Sequence, residues 1–271
     1  MSVPVAAARL VADEAARRAG VRIAPVDDVA GIVEVERLLT RVWNAPEQNP
    51  PMRADLLRSL WHAGGATLAA YAGGSLVGAA VGVFEPPATR AAYSLVAGAS
   101  PSDRGIGFAL KHAQRAWALE RGAGVMSWTF DPLIGRNARF NLVKLGAVAV
   151  EYLVDFYGAM DDGLNEGDET DRLTARWDLT ADPPGADPGG PPASAYLGER
   201  APDGEALTAR LDGVLWCRVP ADAAALRAAD ASAGLAWRRA VRAALAPAFD
   251  DGYRAVGMSR DGWYRLEKGD G

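Results

Sequence analysis

The stretch SLVAGASPSDRGIGFALKHAQRAWALERG, from Ser94 to Gly122, runs from a strand-like segment through a turn into a helix. Small residues at the junction allow the backbone to approach a ligand closely. The first amides of a helix have no partner within the helix, and with the positive end of the helix dipole they favour an anion such as a pyrophosphate. Many glycine-rich turns bind nothing, so the turn alone leaves phosphate binding open. The candidate residues are Arg104, Gly105, Ile106, Gly107, Phe108 and Ala109.

Two common phosphate-binding motifs do not fit this turn. A Walker loop needs Gly-Lys-Ser/Thr after its spacer, and the sequence contains no such tripeptide. A dinucleotide-binding turn belongs to a parallel βαβ unit near the start of its domain. Here the preceding segments ATLAAY and SLVGAAVGVF, joined by Ala72-Gly73-Gly74, predict a hairpin. The turn therefore belongs to a different class of phosphate site, if it binds phosphate at all.

Composition and charge narrow the class of protein. The 271 residues carry a net charge of −5 with a pI of about 5.2, which argues against general affinity for nucleic acid or an anionic membrane. The single cysteine, Cys217, cannot form an internal disulfide and is expected to be an inert thiol, and no Cys/His cluster has zinc spacing. The sequence shows neither a signal peptide nor a membrane span. We expect a soluble cytoplasmic protein without a metal.

The order of predicted segments indicates the fold class. A helix, a strand, two helices, the hairpin and a third strand precede the helix at the turn. A strand, a short helix and two strands around an acidic stretch follow it. This order predicts an α/β (α+β) fold with a mixed, largely antiparallel sheet flanked by helices. We expect a main domain over 1–180, a Pro/Gly linker over 181–192 and a smaller α/β region over 193–271, with a long helix from about Asp222 to Phe249.

With these segments in place, the chain resembles the GNAT superfamily of acyltransferases. The family's acyl-coenzyme A motif, Arg/Gln-x-x-Gly-x-Gly/Ala, is met by Arg104, Gly107 and Ala109, and Pro101 lies three residues before the arginine. The order of elements resembles that of the family from about residue 21 to residue 156. The resemblance thus covers the turn and the predicted elements on both sides of it.

Two later segments extend the resemblance. NARFNLVKLG (137–146) resembles a family helix that begins with Asn and ends in Lys-Leu-Gly. More narrowly, WTFDPLIGRNARFNLVKLGAV followed by YGAMDDGLNEGDETDRLTARW resembles an uncharacterised bacterial branch, some members of which are thought to accompany enzymes of N-acylamino acid metabolism. Residues 193–271 are then a C-terminal extension or a degenerate second GNAT-like half. A homodimer formed through them is left open.

The resemblance implies an N-acyltransferase with an acyl-coenzyme A as co-substrate. It moves an acyl group from acetyl-coenzyme A, or another donor such as succinyl-coenzyme A, directly to the amine of a small molecule, for which an amino acid is one candidate. Backbone groups before the turn would pair with the pantetheine arm, and an amide there would polarise the thioester carbonyl. Besides the turn, this implies cofactor contacts at Ala97, Gly98, Ala99, Asn137 and Asn141. Asn137 is equally suited to cap its helix.

The general acid and base do not follow from the resemblance. Many members carry a tyrosine that protonates the departing thiolate, and Leu142 stands at that position here. Tyr93, on the strand that enters the turn, and Asp131 and Glu85, at strand ends, are the candidate catalytic residues. For the two carboxylates a turn or capping role is the alternative. The missing tyrosine supports a second hypothesis, a protein that binds acyl-coenzyme A without turnover, as a sensor or partner-binding module.

The acidic stretch MDDGLNEGDETD (160–171) fails the spacing of a calcium loop. Its aspartates are expected either to border the acceptor side of the cleft or to lie in a solvated connection between strands. They are Asp161, Asp162, Asp168 and Asp171. Arg238 and Arg239, which are adjacent to each other near the C-terminal end of the sequence, are expected on a solvated helix face.

Overall fold

The computed structural model describes residues 3–101, 104–158, 168–181 and 188–269. The described chain divides into two compact units. The first holds the described residues up to Trp128 together with residues 178–181, and the second holds the described residues 129–177 and 188–269. None of the helices in these ranges is long and apolar enough to cross a membrane.

The first unit is built on strands in the order β1–β2–β3–β4–β5, with helices on both faces. Every neighbouring pair is antiparallel except β4 and β5, which are parallel. The helices are α1 (Val3–Ala19), α2 (Val29–Val42), α3 (Ala54–His62) and α4 (Ile106–Glu120). The strands are β1 (Arg22–Pro25), β2 (Ala66–Ala72), β3 (Ser75–Phe84), β4 (Ala91–Ala99) and β5 (Val125–Phe130), the last of which belongs to this unit up to Trp128.

Two local sequence features determine where the β2–β3 hairpin turns and where α2 begins. Gly73 and Gly74 turn the β2–β3 hairpin with φ of 55° and 86°, the left-handed region that suits glycine. Asp28 caps α2 by accepting a hydrogen bond from the Gly31 amide at 2.9 Å. The hairpin was predicted from the sequence and is confirmed.

The two faces of β3 carry different residues because side chains alternate along a strand. Ala79 and Val81 join Ile32, Val35 and Leu39 of α2 in a hydrophobic core that α3 also enters. The opposite face therefore remains for α4. Burial of these aliphatic side chains fixes which face of β3 packs against α2 and α3.

Glycines in β3 allow α4 to lie close to the sheet. A Cβ added at Gly78 would lie 2.9 Å from Ile106 Cγ2, and one at Gly82 would lie 3.2 Å from the Trp117 ring. The helix α1 packs against α4 as well, so most residues of α4 are buried. The position of the α4 N-terminus is thereby fixed by packing along the whole helix.

The second unit has strands in the order β7–β6–β11–β12–β10–β9–β8, and its strand pairs are antiparallel. The strands are β6 (Val148–Leu153), β7 (Arg172–Asp178), β8 (Tyr196–Leu197), β9 (Thr208–Leu211), β10 (Val214–Arg218), β11 (Tyr253–Met258) and β12 (Trp263–Lys268). The helices are α5 (Gly135–Arg139), which continues as a π-helical turn over Phe140–Lys144, α6 (Ala223–Ala229) and α7 (Ala231–Asp250).

The predicted α/β class with a largely antiparallel sheet is confirmed. The single helix predicted over 222–249 is wrong in one respect, because Asp230 adopts an extended conformation and caps a new helix, α7. The compact units also differ from the predicted domains. They divide at residue 128, inside the main domain predicted for 1–180. Much of the linker predicted at 181–192, residues 182–187, lies outside the described residues.

Candidate functional site

The strand β4 pairs with β5 only along its first residues. The parallel pairing runs from Ala91 opposite Val125 to Tyr93 opposite Ser127, whereas β4 continues to Ala99. Beyond Tyr93, no strand of the first unit's described residues pairs with this side of β4. Within the described residues of the first unit, the far half of β4 therefore has an open edge.

Strand alternation shows which residues point to the open edge. The Ser100 amide donates to the Val77 carbonyl at 2.9 Å, and the register with β3 continues this pairing to Gly98. In an antiparallel ladder the residues that bond to a given neighbour alternate. Gly98 therefore directs its backbone groups to β3, and Ala97 and Ala99 direct theirs to the open edge. Two of the three strand residues predicted to bind the pantetheine arm have the orientation that this role requires.

Gly98 has a packing role instead. A Cβ added there would lie 2.9 Å from Val42 Cγ1 of α2, a distance that would force the helix or the strand to move. The glycine thus allows close approach of α2 to β4. The cofactor contact predicted for Gly98 is not favoured by its backbone orientation.

A β-bulge lies where the two strands separate. Val96 is opposite Val81 and Ser94 is opposite Gly82, so Leu95 is an extra residue without a counterpart on β3. A bulged residue is left outside the regular hydrogen-bond ladder. Leu95 follows the last pair with β5 by two residues and is 38% exposed. Its amide is a candidate donor to a carbonyl oxygen bound at this point, one that the sequence pattern did not single out.

The N-terminus of α4 has the features of an anion site. Gly105 has the left-handed φ of 79°, and its carbonyl accepts the Ala109 amide at 3.0 Å. No described side chain caps the helix, and the amides of Ile106, Gly107 and Phe108 have no partner within it. A Cβ added at Gly107 would meet nothing within 4 Å, so there is open space beside these amides. This space is where the motif predicts a pyrophosphate.

The remaining motif residues differ in exposure. Arg104 is exposed at the start of the turn, where a guanidinium is accessible to an anionic ligand. Ala109 is fully buried, so its small size serves the packing of α4. The α1 helix ends beside the turn, since a Cβ at Gly105 would lie 3.8 Å from Ala19 Cβ.

A buried polar cluster lies beside the bulge. Lys111 Nζ donates to Ser94 Oγ at 2.9 Å, and Ser94 Oγ donates to Gln114 Oε1 at 2.9 Å. The same Nζ lies 3.8 Å from the centre of the Trp128 ring, on β5. Burial lowers the pKa of Lys111 to about 7. Lys111 was not among the predicted site residues. Its burial follows from its position in α4, between Leu110 and His112, because other elements pack on both sides of that helix.

Two other titratable groups are buried but show no sign of reactivity. Burial, and secondly the charge of Arg115, lower the pKa of His112 to about 4, so its imidazole is neutral at pH 7. In the second unit, burial raises the pKa of the Cys217 thiol well above its usual range. A thiol that remains protonated is a poor nucleophile, in agreement with the expectation for Cys217.

The predicted catalytic residues of the first unit lie in different places. Tyr93 is the last β4 residue paired with β5 and stands at the point of separation. Glu85 follows β3, and its amide donates to the Ala91 carbonyl at the opposite end of β4 from the turn. The structure therefore places Tyr93 close to the open edge and Glu85 away from it.

Asp131, in the second unit, belongs to a buried ion-pair network. Its carboxylate accepts hydrogen bonds from Arg238 at 2.8 and 3.0 Å, and Arg227 Nη1 lies 3.5 Å away. Asp168 accepts from the same two arginines, at 2.6 and 2.9 Å. Burial alone would raise the pKa of Asp131, but Arg238 outweighs it and holds that pKa below its usual range. This geometry favours a structural role for Asp131 over the predicted catalytic one.

The described end of the acidic stretch is bound by arginines of α7. Arg242 donates to Asp171 at 2.6 Å and also pairs with Glu169, which Arg239 contacts at 2.9 Å. Asp171 is fully buried. The alternative of a solvated connection is thus wrong for Asp168 and Asp171. Asp161 and Asp162 lie outside the described residues.

The expectation of a solvated Arg238–Arg239 pair is half wrong. The Arg238 side chain is 0% exposed, whereas that of Arg239 is 62% exposed.

Asn137 lies in the first turn of α5, whose N-cap position is Ile134, so the capping role suggested for Asn137 is not observed. Asn141 is buried in the π-helical turn, beside the equally buried Leu142. A cofactor contact of the two asparagines stays a prediction.

No protein-family model matches the sequence, and none of the curated proteins matches it. The chain is similar in structure to a protein described as a GNAT-family acetyltransferase from Desulfovibrio desulfuricans, with 14% identity and a TM-score of 0.46 over 59% of this chain and 99% of that one. It is also similar to the ribosomal-protein-S18-alanine N-acetyltransferase from Escherichia coli, with 12% identity and a TM-score of 0.48 over 60% and 96%.

A third similar structure is a protein described as an acetyltransferase from Salmonella typhimurium, solved with its cofactor acetyl-CoA. It has 15% identity and a TM-score of 0.46 over 62% of this chain and 99% of that one. The activities named for the three proteins are their own.

Proposed function

We propose that this chain is a GNAT-type N-acyltransferase that moves an acyl group from acetyl-coenzyme A, or another acyl-coenzyme A, to the amine of a small molecule. The observation that carries the proposal is the arrangement at one end of β4. An open strand edge at Ala97 and Ala99 is followed directly by uncapped helix amides and open space at Gly107. A long ligand with an amide-bearing arm and a pyrophosphate matches this sequence of donors and acceptors.

Each part of this site has a definite role in the proposal. The amides of Ile106, Gly107 and Phe108 bind the pyrophosphate, and Arg104 adds a positive charge. Backbone groups of Ala97 and Ala99 pair with the amides of the pantetheine arm as an added strand would. The arm then runs along β4 toward the bulge, which brings the thioester to Leu95.

The Leu95 amide supports the reaction by donating to the thioester carbonyl oxygen. Negative charge develops on this oxygen when an amine attacks the carbonyl carbon, and a fixed backbone donor stabilises it. The C–N bond forms, the C–S bond breaks, and the thiol of coenzyme A leaves. The route needs no acyl-enzyme, which accords with the buried, protonated thiol of Cys217.

The proposal extends to the identity of the acceptor and of the acyl donor. The resemblance to a branch associated with N-acylamino acid metabolism favours an amino acid as acceptor, and N-succinylation from succinyl-coenzyme A is one form of this reaction. Cytoplasmic substrates of this kind accord with the acidic composition and the single cysteine.

A second candidate function is a sensor that binds acyl-coenzyme A without turnover. It is favoured by Leu142, a buried aliphatic residue at the position where many family members carry a tyrosine. Such a protein would use the same turn and the same strand edge. Only turnover distinguishes it from the enzyme.

Thiol release from several acyl-coenzyme A donors, measured across a panel of amines and amino acids, tests the enzymatic function. We expect release that depends on one class of amine, because direct aminolysis needs a bound nucleophile. Mass detection of the acylated product identifies donor and acceptor together.

The controls are a reaction without protein and one with Gly107→Glu, which is expected to block the pyrophosphate site. Silence across the panel from a protein that binds coenzyme A would support the sensor and contradict the enzyme. Failure of the wild-type protein to bind coenzyme A would contradict both.

A further inference from the structure

Lys111 is a buried cation without an acidic partner. Its side chain extends from α4 across β4, where Nζ donates to Ser94 Oγ at 2.9 Å, and reaches the Trp128 ring on β5 at 3.8 Å. Among the described residues no carboxylate pairs with it, and burial is the one cause that shifts its pKa. Lysine is rarely buried unless paired, so this position carries a cost that packing alone does not explain.

The position of Lys111 coincides with the start of the open edge. Ser94 immediately precedes the bulged Leu95 and follows Tyr93, the last residue paired with β5. Ser94 Oγ and the Leu95 nitrogen are four bonds apart, so Nζ lies within about 8 Å of that nitrogen. A thioester whose carbonyl oxygen accepts from that amide spans this distance when its sulfur is directed toward Nζ.

The neighbours of Lys111 are arranged to hold it in place. Gln114 Oε1 accepts from Ser94, which orients the hydroxyl so that its lone pair faces Nζ. Gln114 is fully buried, and its Nε2 has no hydrogen-bond partner among the described residues. A Cβ added at Gly82 would lie 3.3 Å from this Nε2, so the amide nitrogen faces β3, and Gln114 contributes to the cluster through Oε1.

Taking the proposed acyltransferase as its basis, we propose that Lys111 is the acid that protonates the departing thiolate of coenzyme A. It would supply the proton that a tyrosine supplies in other members and that Leu142 cannot. The amine nitrogen attacks the carbonyl carbon, the C–S bond breaks, and a proton moves from Nζ to sulfur. The neutral Nζ then regains a proton from the acylated nitrogen, so that the overall reaction is balanced without a further reactant.

The charge environment of Lys111 suits this exchange. The titratable residues nearest in sequence to Lys111 and its partner Ser94 are His112 and Arg115 on α4 and Tyr93 on β4, whereas β5, with the sequence VMSWTF, contributes none. His112 is neutral at pH 7 because burial lowers its pKa. With a pKa near that of neutral solution, an amine gives up and regains a proton with little cost in either direction.

Titration of the thiol of bound coenzyme A tests the contact without knowledge of the acceptor. Coenzyme A is bound to Lys111→Arg and to Lys111→Met, and thiolate absorbance near the far-ultraviolet edge is followed against pH. A lysine whose pKa is lowered to about 7 is neutral where the thiol titrates, whereas arginine stays charged. We expect Lys111→Arg to lower the pKa of the bound thiol by about one unit relative to Lys111→Met, because an adjacent guanidinium favours the thiolate. Both variants should leave coenzyme A affinity within about threefold, since the turn is unchanged.

Turnover by the wild-type protein, both Lys111 variants and Ser94→Ala completes the set. Arginine retains the charge but does not release a proton, so Lys111→Arg should not replace lysine as the acid. With an amine accepted in the panel, both Lys111 variants should lose about 100-fold or more in kcat with little change in KM for the donor. Ser94→Ala should show a smaller loss, because Lys111 remains.

The outcomes separate the two proposals. Tight binding of coenzyme A with the same thiol pKa in Lys111→Arg and Lys111→Met would overturn the role of Lys111 and leave the acyltransferase standing. Absence of coenzyme A binding to the wild-type protein would overturn both. Circular dichroism melting of each variant shows whether it is folded, and removal of an unpaired buried charge is expected to leave Lys111→Met at least as stable as the wild-type protein.

Discussion

Gly107→Glu is expected to abolish coenzyme A binding, with a loss of affinity of at least about 100-fold. The new side chain would fill the open space beside the first amides of α4 and place a carboxylate where the pyrophosphate is to bind. It would also compete for the same helix amides. Isothermal titration calorimetry with coenzyme A measures the effect.

Gly107→Gln is the matched control, since it has the same size without the charge. A Cβ at position 107 meets nothing within 4 Å, so both variants should fold. Glutamate in a first helical turn should even raise the melting temperature slightly, because it complements the helix dipole. A folded Gly107→Glu protein that binds coenzyme A as tightly as the wild-type protein would show that the anion site is elsewhere.

Arg238→Met is expected to lower the free energy of unfolding by about 3–5 kcal/mol. Among the described residues, the substitution leaves the buried Asp131 and Asp168 with Arg227 as their one ion-pair partner, because Arg238 contacts both carboxylates and is fully buried. Urea denaturation at pH 7 measures the loss. A change below about 1 kcal/mol would contradict the account of this network.

Arg239→Met is the neighbouring control. Its side chain is 62% exposed and pairs with Glu169 at the surface, so the expected loss is below about 1 kcal/mol.

The pH dependence of the Arg238 effect follows from the lowered pKa of Asp131. A carboxylate with a depressed folded-state pKa stabilises the protein above its unfolded pKa of about 3.9, and this contribution is lost as pH falls through the folded value. The difference between the wild-type protein and Arg238→Met should therefore shrink below about pH 4.

Local patterns allowed much of the first unit to be predicted. The hairpin glycines and the turn at Arg104–Ala109 are encoded within a few residues, and the structure places each in the expected element. The family resemblance implied that backbone groups before the turn bind the pantetheine arm, but no short pattern specifies the open edge of β4. The Leu95 bulge depends on the register between β3 and β4, which no short pattern specifies.

Tertiary context decided the features that the sequence left out or misassigned. Arg238 follows a helical pattern typical of a solvated face, but Asp131 lies 107 residues earlier in the chain and brings it into the interior. Lys111 is buried because α1 and the sheet cover α4 from two sides. Charged residues at such positions are recognised only when their distant partners and neighbours are known.

Amide-resolved NMR of the wild-type protein titrated with coenzyme A is the most direct test of the proposed site. We expect the largest shifts at the amides of Ile106, Gly107 and Phe108, and further shifts at Leu95, Ala97 and Ala99, whose backbone groups lie at the bulge and the open edge. The amides of β9 and β10 in the second unit serve as an internal reference. Binding that leaves the α4 and β4 amides unchanged, or no binding at all, would contradict the proposed site.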